Sequence, residues 1–157
     1  MQYYQYPSKV TENTEGVFFI SFRNIPEAFT QTRDKNKIYA EALYCLIDAL
    51  SIYLDTGKKI PEASAPRKGE ILISLPPSVI AKIMLLNTMA ETKVRPVDLA
   101  KKMNVRPQEV TRILNVKQST KIDTISEALK VLGKKLTLYL ARKIIRNPTI
   151  ARYINTL

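Results

Sequence analysis

Polar side chains that can bond to the bases and phosphates of nucleic acids are concentrated between residues 106 and 121. A helix beginning at Pro107 would turn Val110, Ile113 and Leu114 to one side, because apolar residues three and four apart share a helix face. The polar residues would then face outward, where their groups can reach base edges and the DNA backbone. The residues that we predict to contact DNA are Arg106, Gln108, Glu109, Thr111, Arg112, Asn115, Lys117, Thr120 and Lys121.

A second short helical pattern precedes this one, and the two together predict a helix-turn-helix. Pro96 and Pro107 each stand where a helix would begin, a position at which a missing N–H costs nothing. Asn104 falls at the bend, and asparagine tolerates a left-handed backbone. The second helix of such a motif enters the major groove of DNA. Pairs of short helices also occur in all-α proteins that bind no DNA, so the pattern alone leaves this alternative open.

The positive charge of the chain is unevenly distributed. The formal net charge is +11 at pH 7. Residues 1–75 contain nine basic and nine acidic side chains, whereas residues 76–157 contain sixteen basic and five acidic ones. A basic segment beside a neutral one indicates a polyanionic partner for the basic segment alone. The charge therefore favours DNA binding by the helix pair.

Composition argues against catalysis, cofactor binding and a membrane location. The chain has no histidine, and its single cysteine, Cys45, is expected to be a small buried side chain because no histidine could activate it. No close pair of carboxylates suggests a metal site, and the four glycines are too isolated for a phosphate-binding loop. No apolar run reaches the roughly 18 residues of a membrane span, and the first residues lack the order of a signal peptide. We expect a non-enzymatic, cofactor-free protein of the cytoplasm, where a lone cysteine stays reduced.

The first half of the chain predicts a small α+β unit in the order β-β-β-α-β. Phe18, Ile20 and Phe22 alternate as in a half-buried strand, and apolar residues at helical spacing follow Asp34, the expected cap of a long helix. The expected strands cover residues 2–10, 17–23, about 28–31 and 71–75, and the helix covers residues 34–55.

Pro76 and Pro77 predict a boundary between a first domain, residues 1–75, and an all-α second domain, residues 76–157. Ser78 is the expected cap of the next helix. After the helix pair, a further helix should begin at Ile122 and close at Gly133. The alternation of Leu136, Leu138 and Leu140 then suggests a strand. The tail from residue 141 could be an amphipathic helix, an oligomer contact or a frayed end.

In this order the elements resemble the HicB-type antitoxins of bacterial toxin–antitoxin pairs, in the variant with a C-terminal Cro-repressor-like helix-turn-helix. The resemblance covers roughly residues 1–140. The segments that carry it are Gly16–Phe22, Ile25–Gln31, Leu75-Pro76, Ser78-Val79, Leu99-Ala100, Gln108–Arg112 and Thr120–Asp123.

The resemblance implies a partial ribonuclease-H-like fold for residues 1–75, without the catalytic carboxylates of that fold. This domain would cap a cognate HicA-type toxin, a small mRNA-cleaving protein. We expect local acids, namely Glu27, Asp34 and Glu41, to lie near a basic toxin. The second domain would bind operator double-stranded DNA and repress the operon, with the antitoxin acting as a homodimer or higher oligomer.

Four residues depart from the family pattern. Arg23 and Asn24 stand where the family often has an acidic residue, and Thr32 replaces a common glycine, so the loop geometry and toxin contacts at these positions need not follow the family pattern. Asn104 replaces the usual glycine of the turn, a change that asparagine tolerates.

Two other functions remain open from the sequence. A stand-alone repressor with a ligand-sensing first domain predicts a concave pocket in residues 1–75, whereas a toxin binder should present a broad exposed surface. An RNA-processing enzyme descended from the ribonuclease-H-like fold predicts clustered carboxylates around a metal ion.

Overall fold

The computed structural model of the protein describes residues 4–139. These residues form two compact units, one of residues 4–46, 62–74 and 138–139 and one of residues 47–61 and 75–137. An antiparallel sheet is followed by helices, so the predicted α+β class is confirmed. The division of function at residues 75 and 76 stays a prediction.

Four strands form one antiparallel sheet in the first unit. They are β1 (Gln5–Glu12), β2 (Phe18–Phe22), β3 (Phe29–Thr32) and β4 (Glu70–Ser74), in the order β3-β2-β1-β4. Between β3 and β4, one turn of 3-10 helix (Lys35–Lys37) leads into α1 (Ile38–Thr56). The predicted order β-β-β-α-β is confirmed, with element ends shifted by a few residues.

Alternating side chains of the sheet build the core of the first unit. Ile20 and Phe22 of β2 are 0% and 2% exposed, as expected for one buried face of a strand with a two-residue period. Helix α1 contributes Ile38, Ala42 and Leu46, which are buried at a spacing of four residues. The alternating residues of β2 and the residues at helical spacing in α1 are therefore both buried in the core of the first unit.

Arg23 and Asn24 tie the loop that precedes β4 to the end of β2. Arg23 makes a two-point ion pair with Glu70, in which Nε and Nη2 each lie 3.0 Å from a carboxylate oxygen. The guanidinium also donates to the Ser64 hydroxyl and the Ala65 carbonyl oxygen. The side-chain oxygen of Asn24 accepts hydrogen bonds from the backbone N–H and the hydroxyl of Ser64. Two of the residues that depart from the family pattern, Arg23 and Asn24, thus anchor this loop.

Within the described residues, four further helices belong to the second unit: α2 (Pro77–Thr92), α3 (Pro96–Met103), α4 (Pro107–Leu114) and α5 (Ile122–Val131). Helices α2, α3 and α4 each begin with proline, whose fixed φ suits the first helical position. The prediction that Ser78 caps α2 was wrong. Pro76 takes the cap position and Pro77 the first helical one, which places Ser78 inside the first turn.

Helices α2, α3 and α5 end in the same motif, in which a left-handed residue reverses the chain. Lys93 and Asn104 both have a φ of 55°, and Gly133 has a φ of 78°. In each case the N–H of the next residue donates a hydrogen bond to the carbonyl oxygen five residues earlier. This bond pairs a carbonyl of the last helical turn that has no partner within the helix. The pairs are Val94 to Met89, Val105 to Ala100 and Lys134 to Leu129, at 2.9 to 3.0 Å. The bend predicted at Asn104 is confirmed.

The strand predicted from Leu136, Leu138 and Leu140 is wrong for the residues that can be described. Residues 134–139 have no regular secondary structure, and Leu138 and Tyr139 are 71% and 82% exposed. Alternation stabilises a strand only where a neighbouring strand and a buried face exist. Leu140 and residues 141–157, including the basic tail, lie outside the described residues.

Replacing Lys93 with glycine is expected to stabilise the protein, because a left-handed backbone costs a non-glycine residue roughly 1–2 kcal/mol. The greater freedom of glycine in the unfolded chain offsets part of this gain, which leaves about 0.5–1 kcal/mol in the free energy of unfolding. Denaturant titration measures the change. Lys93→Ala removes the same side chain but keeps the strain, so equal stabilisation of both variants would contradict the account.

The pair of Arg23 and Glu70 is expected to make stability fall at acid pH. The hydrogen bonds from Arg23 lower the pKa of the Glu70 carboxyl below its ordinary value of 4.5. The unfolded chain therefore binds a proton at a pH where the native carboxylate stays charged, so the contribution is present above the ordinary pKa and is lost as pH falls below it. Glu70→Gln should be less stable than the wild type at pH 7 and should lose less stability between about pH 5 and pH 3.

Glu12→Gln, at the exposed end of β1, is the matched control for the Glu70 substitution. It should follow the pH profile of the wild type in the same denaturant titrations. Parallel profiles for the wild type and Glu70→Gln would show that this ion pair does not contribute to acid sensitivity.

Candidate nucleic-acid interface

Helices α3 and α4 share an apolar core. Leu99 and Ala100 of α3 and Val110, Ile113 and Leu114 of α4 are between 0% and 3% exposed. The two helices contact each other, α3 also contacts α5, and α4 also contacts α2. The inward face predicted for α4 is confirmed.

Only residues 104–106 connect α3 to α4, so the backbone of Asn104 sets the direction of α4. The N–H of Asn104 donates to the Lys101 carbonyl at 3.2 Å, and the N–H of Val105 donates to the Ala100 carbonyl at 3.0 Å. These bonds satisfy carbonyls at the end of α3. Arg106 has an extended backbone and immediately precedes the first turn of α4.

The outer face of α4 is polar. The predicted residues that lie exposed on it or directly before it are Arg106, Gln108, Glu109, Thr111 and Arg112. The Thr111 hydroxyl donates to the Pro107 carbonyl at 3.2 Å, one turn back along the helix. Across residues 4–139, neither Arg106 nor Arg112 makes an ion pair. The face therefore offers amide and guanidinium donors of the kind that bond to base edges.

The other four predicted residues lie in the connector, residues 115–121 between α4 and α5. Asn115 is half-buried, and its side-chain oxygen accepts the N–H of Lys117 at 2.9 Å. The ammonium of Lys117 lies 2.9 Å from the carboxylate of Asp48 on α1. Thr120 is half-buried with its hydroxyl oxygen inside, whereas Lys121 is exposed directly before α5. In the connector, the half-buried Asn115 and Thr120 therefore alternate with the exposed lysines Lys117 and Lys121.

Beneath the connector lies a lysine that the sequence analysis did not identify. Lys82 of α2 is 1% exposed, and its Nζ donates to the carbonyl oxygens of Asn115 and Gln118 at 2.7 and 2.5 Å. Burial lowers the pKa of Lys82, because desolvation disfavours the charged form. In the sequence, the burial of Lys82 was indicated only by its position between the inward-facing Val79 and Ile83. That indication is weak, because the ammonium group of a lysine on a helix usually stays in solvent.

The helix pair and the connector carry a strong positive charge. Residues 93–121 include eight basic and two acidic side chains. One of the acids, Asp98, accepts a 3.0 Å hydrogen bond from Nε of Arg95, and this bond lowers the pKa of the Asp98 carboxyl. Lys101 and Lys102 are exposed in the last turn of α3. This surface has the charge needed to attract a polyanion.

The three acids predicted to contact a toxin lie in the first unit at separate places along the chain. Glu27 is exposed between β2 and β3. Asp34 is exposed, and its carboxylate accepts the N–H of Asn36 at 2.9 Å, so it caps the 3-10 helix that leads into α1. Glu41 is half-buried in the first turn of α1.

Neither a metal-binding cluster nor a membrane-spanning helix occurs in the part of the chain that the structure describes. Residues 4–139 contain no group of three or more acidic, histidine or cysteine side chains that could hold a metal ion. No helix in that range is long and apolar enough to span a membrane. Cys45, on α1, is half-buried.

Comparison with known proteins identifies the family. A family model described as HicB_like antitoxin of bacterial toxin-antitoxin system matches residues 5–84. The chain is 40% identical over 134 residues to Antitoxin HicB 2 of Photorhabdus laumondii, covering 85% of this chain and 94% of that protein. It is 34% identical over 134 residues to Antitoxin HicB of Escherichia coli K12, with coverages of 85% and 97%. The chain belongs to the HicB-like antitoxin family.

Membership in this family confirms the resemblance to HicB-type antitoxins and supports an antitoxin role. Residues 5–84 run from β1 to the first half of α2, so the family match includes all four strands and α1. It ends before α3 and α4.

Proposed function

We propose that this antitoxin neutralises a cognate mRNA-cleaving toxin of the HicA type and represses its own operon by binding operator DNA. Residues 1–75 would bind the toxin, and residues 76–157 would bind DNA, with α3 and α4 acting as a helix-turn-helix. The exposed outer face of α4, where amide and cationic groups lie together on a basic surface, is the observation that carries the DNA-binding half.

Helix α4 would enter the major groove with its N-terminal end first. Gln108 lies in its first turn and Arg112 one turn later, both exposed. A glutamine amide can pair with the edge of adenine, and an arginine guanidinium with the edge of guanine or with a phosphate. The free N–H groups and the positive dipole end of the helix add attraction for the DNA backbone.

The connector would contact phosphates. Lys121 is exposed and reaches solvent directly. Lys117 would exchange Asp48 for a phosphate, which is feasible because exposed ion pairs of this kind contribute only about 0–1 kcal/mol. Asn115 and Thr120 are better suited to shaping the connector than to contacting DNA through their side chains.

Operator recognition by this helix pair would require at least a homodimer. One pair covers only a short half-site, so two copies would read half-sites with centres about 10 base pairs, or a multiple of that, apart. The operator should therefore be an inverted repeat.

The first unit would bind the toxin through exposed apolar side chains bordered by acids. Phe29, on the edge strand β3, is 60% exposed, and its ring stacks on that of Phe19 at 6.2 Å. Tyr44 of α1 is 69% exposed. Exposed aromatic residues are typical of protein interfaces. Glu27, Asp34 and Glu41 would steer a basic toxin towards this unit.

Gln108→Ala is expected to weaken operator binding by about 1–3 kcal/mol and to leave binding to random DNA almost unchanged, because base contacts specify sequence. Lys121→Ala should weaken binding to both DNAs and lower the slope of log affinity against log salt by about one, because phosphate contacts are blind to sequence. Anisotropy titrations at several salt concentrations measure both effects.

Lys68→Ala, in the exposed loop of the first unit, is the charge-matched control for Lys121→Ala and should bind both DNAs like the wild type. Before the binding assays, thermal unfolding must show that each variant has the same melting temperature as the wild type. If neither Gln108→Ala nor Lys121→Ala changes operator affinity, α4 does not lie in the groove.

The triple variant Glu27→Gln, Asp34→Asn and Glu41→Gln in the full chain is expected to weaken toxin binding by about tenfold at low salt, since each charge at an interface rim contributes modestly. Asparagine at residue 34 can still cap the 3-10 helix through its side-chain oxygen. Calorimetric titration with the purified toxin measures the affinity.

A second triple variant, Glu12→Gln, Glu15→Gln and Asp55→Asn, changes the net charge equally at other exposed positions. It should bind the toxin with nearly the affinity of the wild type. Equal losses in the two triple variants would mean that net charge, rather than these three acids, governs the association.

A further inference from the structure

The turn Asn115–Gln118 is closed around the ammonium of Lys82. The N–H of Gln118 donates to the Asn115 carbonyl at 3.1 Å, and the same carbonyl accepts Nζ of Lys82 at 2.7 Å. The Gln118 carbonyl accepts Nζ at 2.5 Å. Both carbonyls therefore point inward to one buried cation, while the side chains of Lys117 and Gln118 are exposed.

We propose that Lys82 is a positioning residue for operator binding, which fixes this turn so that the connector presents its lysines to DNA phosphates. The inference rests on the proposed binding of operator DNA. Lys82 itself, at 1% exposure, would not touch the DNA.

A purely structural role would be better served by an apolar side chain. Burying an ammonium carries a desolvation cost, and apolar replacements of buried charges are often neutral or stabilising. Val116, in the same turn, is 4% exposed and already supplies apolar packing. The ammonium instead fixes the orientation of the turn. It bonds to two carbonyl oxygens at once, which selects one backbone conformation.

The position of the cation also matters electrostatically. The carbonyls at the end of α4 carry the negative end of the helix dipole, which would repel a phosphate near the connector. The N–H of Asn115 bonds to the Thr111 carbonyl at 3.1 Å, so the turn continues directly from the last turn of α4. An ammonium bonded to the Asn115 carbonyl offsets this negative potential.

Lys82→Met in the full chain is the test, because methionine keeps the unbranched stem and removes the ammonium. Without the cation the turn would populate other conformations. The apparent affinity for DNA then falls in proportion to the fraction of molecules whose turn has the conformation that binds DNA. We expect operator affinity to fall about tenfold and the salt slope to fall by about one, as connector phosphate contacts are lost. Toxin affinity should be unchanged.

Asn87→Ala is the matched control. Asn87, on the same helix α2, is 8% exposed and bonds to both backbone groups of Ile60, at 2.7 and 3.2 Å. Its removal also deletes two buried hydrogen bonds, but none to the connector. The control should lose stability and keep the salt slope of the wild type.

The outcomes separate the inference from the proposed function. A wild-type chain that binds no operator overturns the proposed function and the inference with it. A wild-type chain that binds operator, with Lys82→Met showing the affinity and slope of Asn87→Ala, overturns the inference alone.

If Lys82→Met does not fold, amide hydrogen exchange of the wild-type chain decides. Residues 116–118 should exchange as slowly in the free protein as in the operator complex, because the turn is already fixed. Fast exchange in the free protein with protection only on the operator would overturn the inference.

Discussion

The burial of the middle of α2, residues 79–90, is the constraint on which the second unit depends. Its buried residues include three polar ones, Lys82, Asn87 and Thr88. A buried polar group must find a hydrogen-bond partner, and Lys82 and Asn87 find theirs on segments outside α2. Asn87 holds the backbone of Ile60, Lys82 holds the connector, and Thr88 bonds to the carbonyl of Met84 within α2. Apolar packing brings the helices together, and the bonds of Asn87 and Lys82 fix the loop at Ile60 and the connector beside α2.

Elements that depend on near neighbours in the chain could be predicted from the sequence. The alternation in Phe18–Phe22 and the helical spacing of Val110, Ile113 and Leu114 each report one buried face, and both faces are buried in the structure. Proline at the first position of α3 and α4 and asparagine at the bend are equally local signals. The alternation of Leu136, Leu138 and Leu140 led to the wrong prediction of a strand, because alternation contains no information about whether a partner strand is present.

Contacts between residues distant in the sequence could not be predicted in this way. Asp48 and Lys117 read as solvated charges until α1 and the connector are placed in space, and Lys82 reads as one more surface lysine. For the same reason the sequence showed which residues of the connector are polar but not which of them shape the turn. Arg23 was visible only as a departure from the family, and its partners lie in the loop before β4.

The most direct test of the account is dimethyl sulfate footprinting of the operon's own promoter with the full-length antitoxin, since this reagent methylates guanine N7 in the major groove. If α4 enters that groove, guanines should be protected in two inverted half-sites with centres about 10 base pairs, or a multiple of that, apart. Binding that leaves every guanine N7 reactive, or that protects a single unrepeated stretch, would contradict the placement of α4.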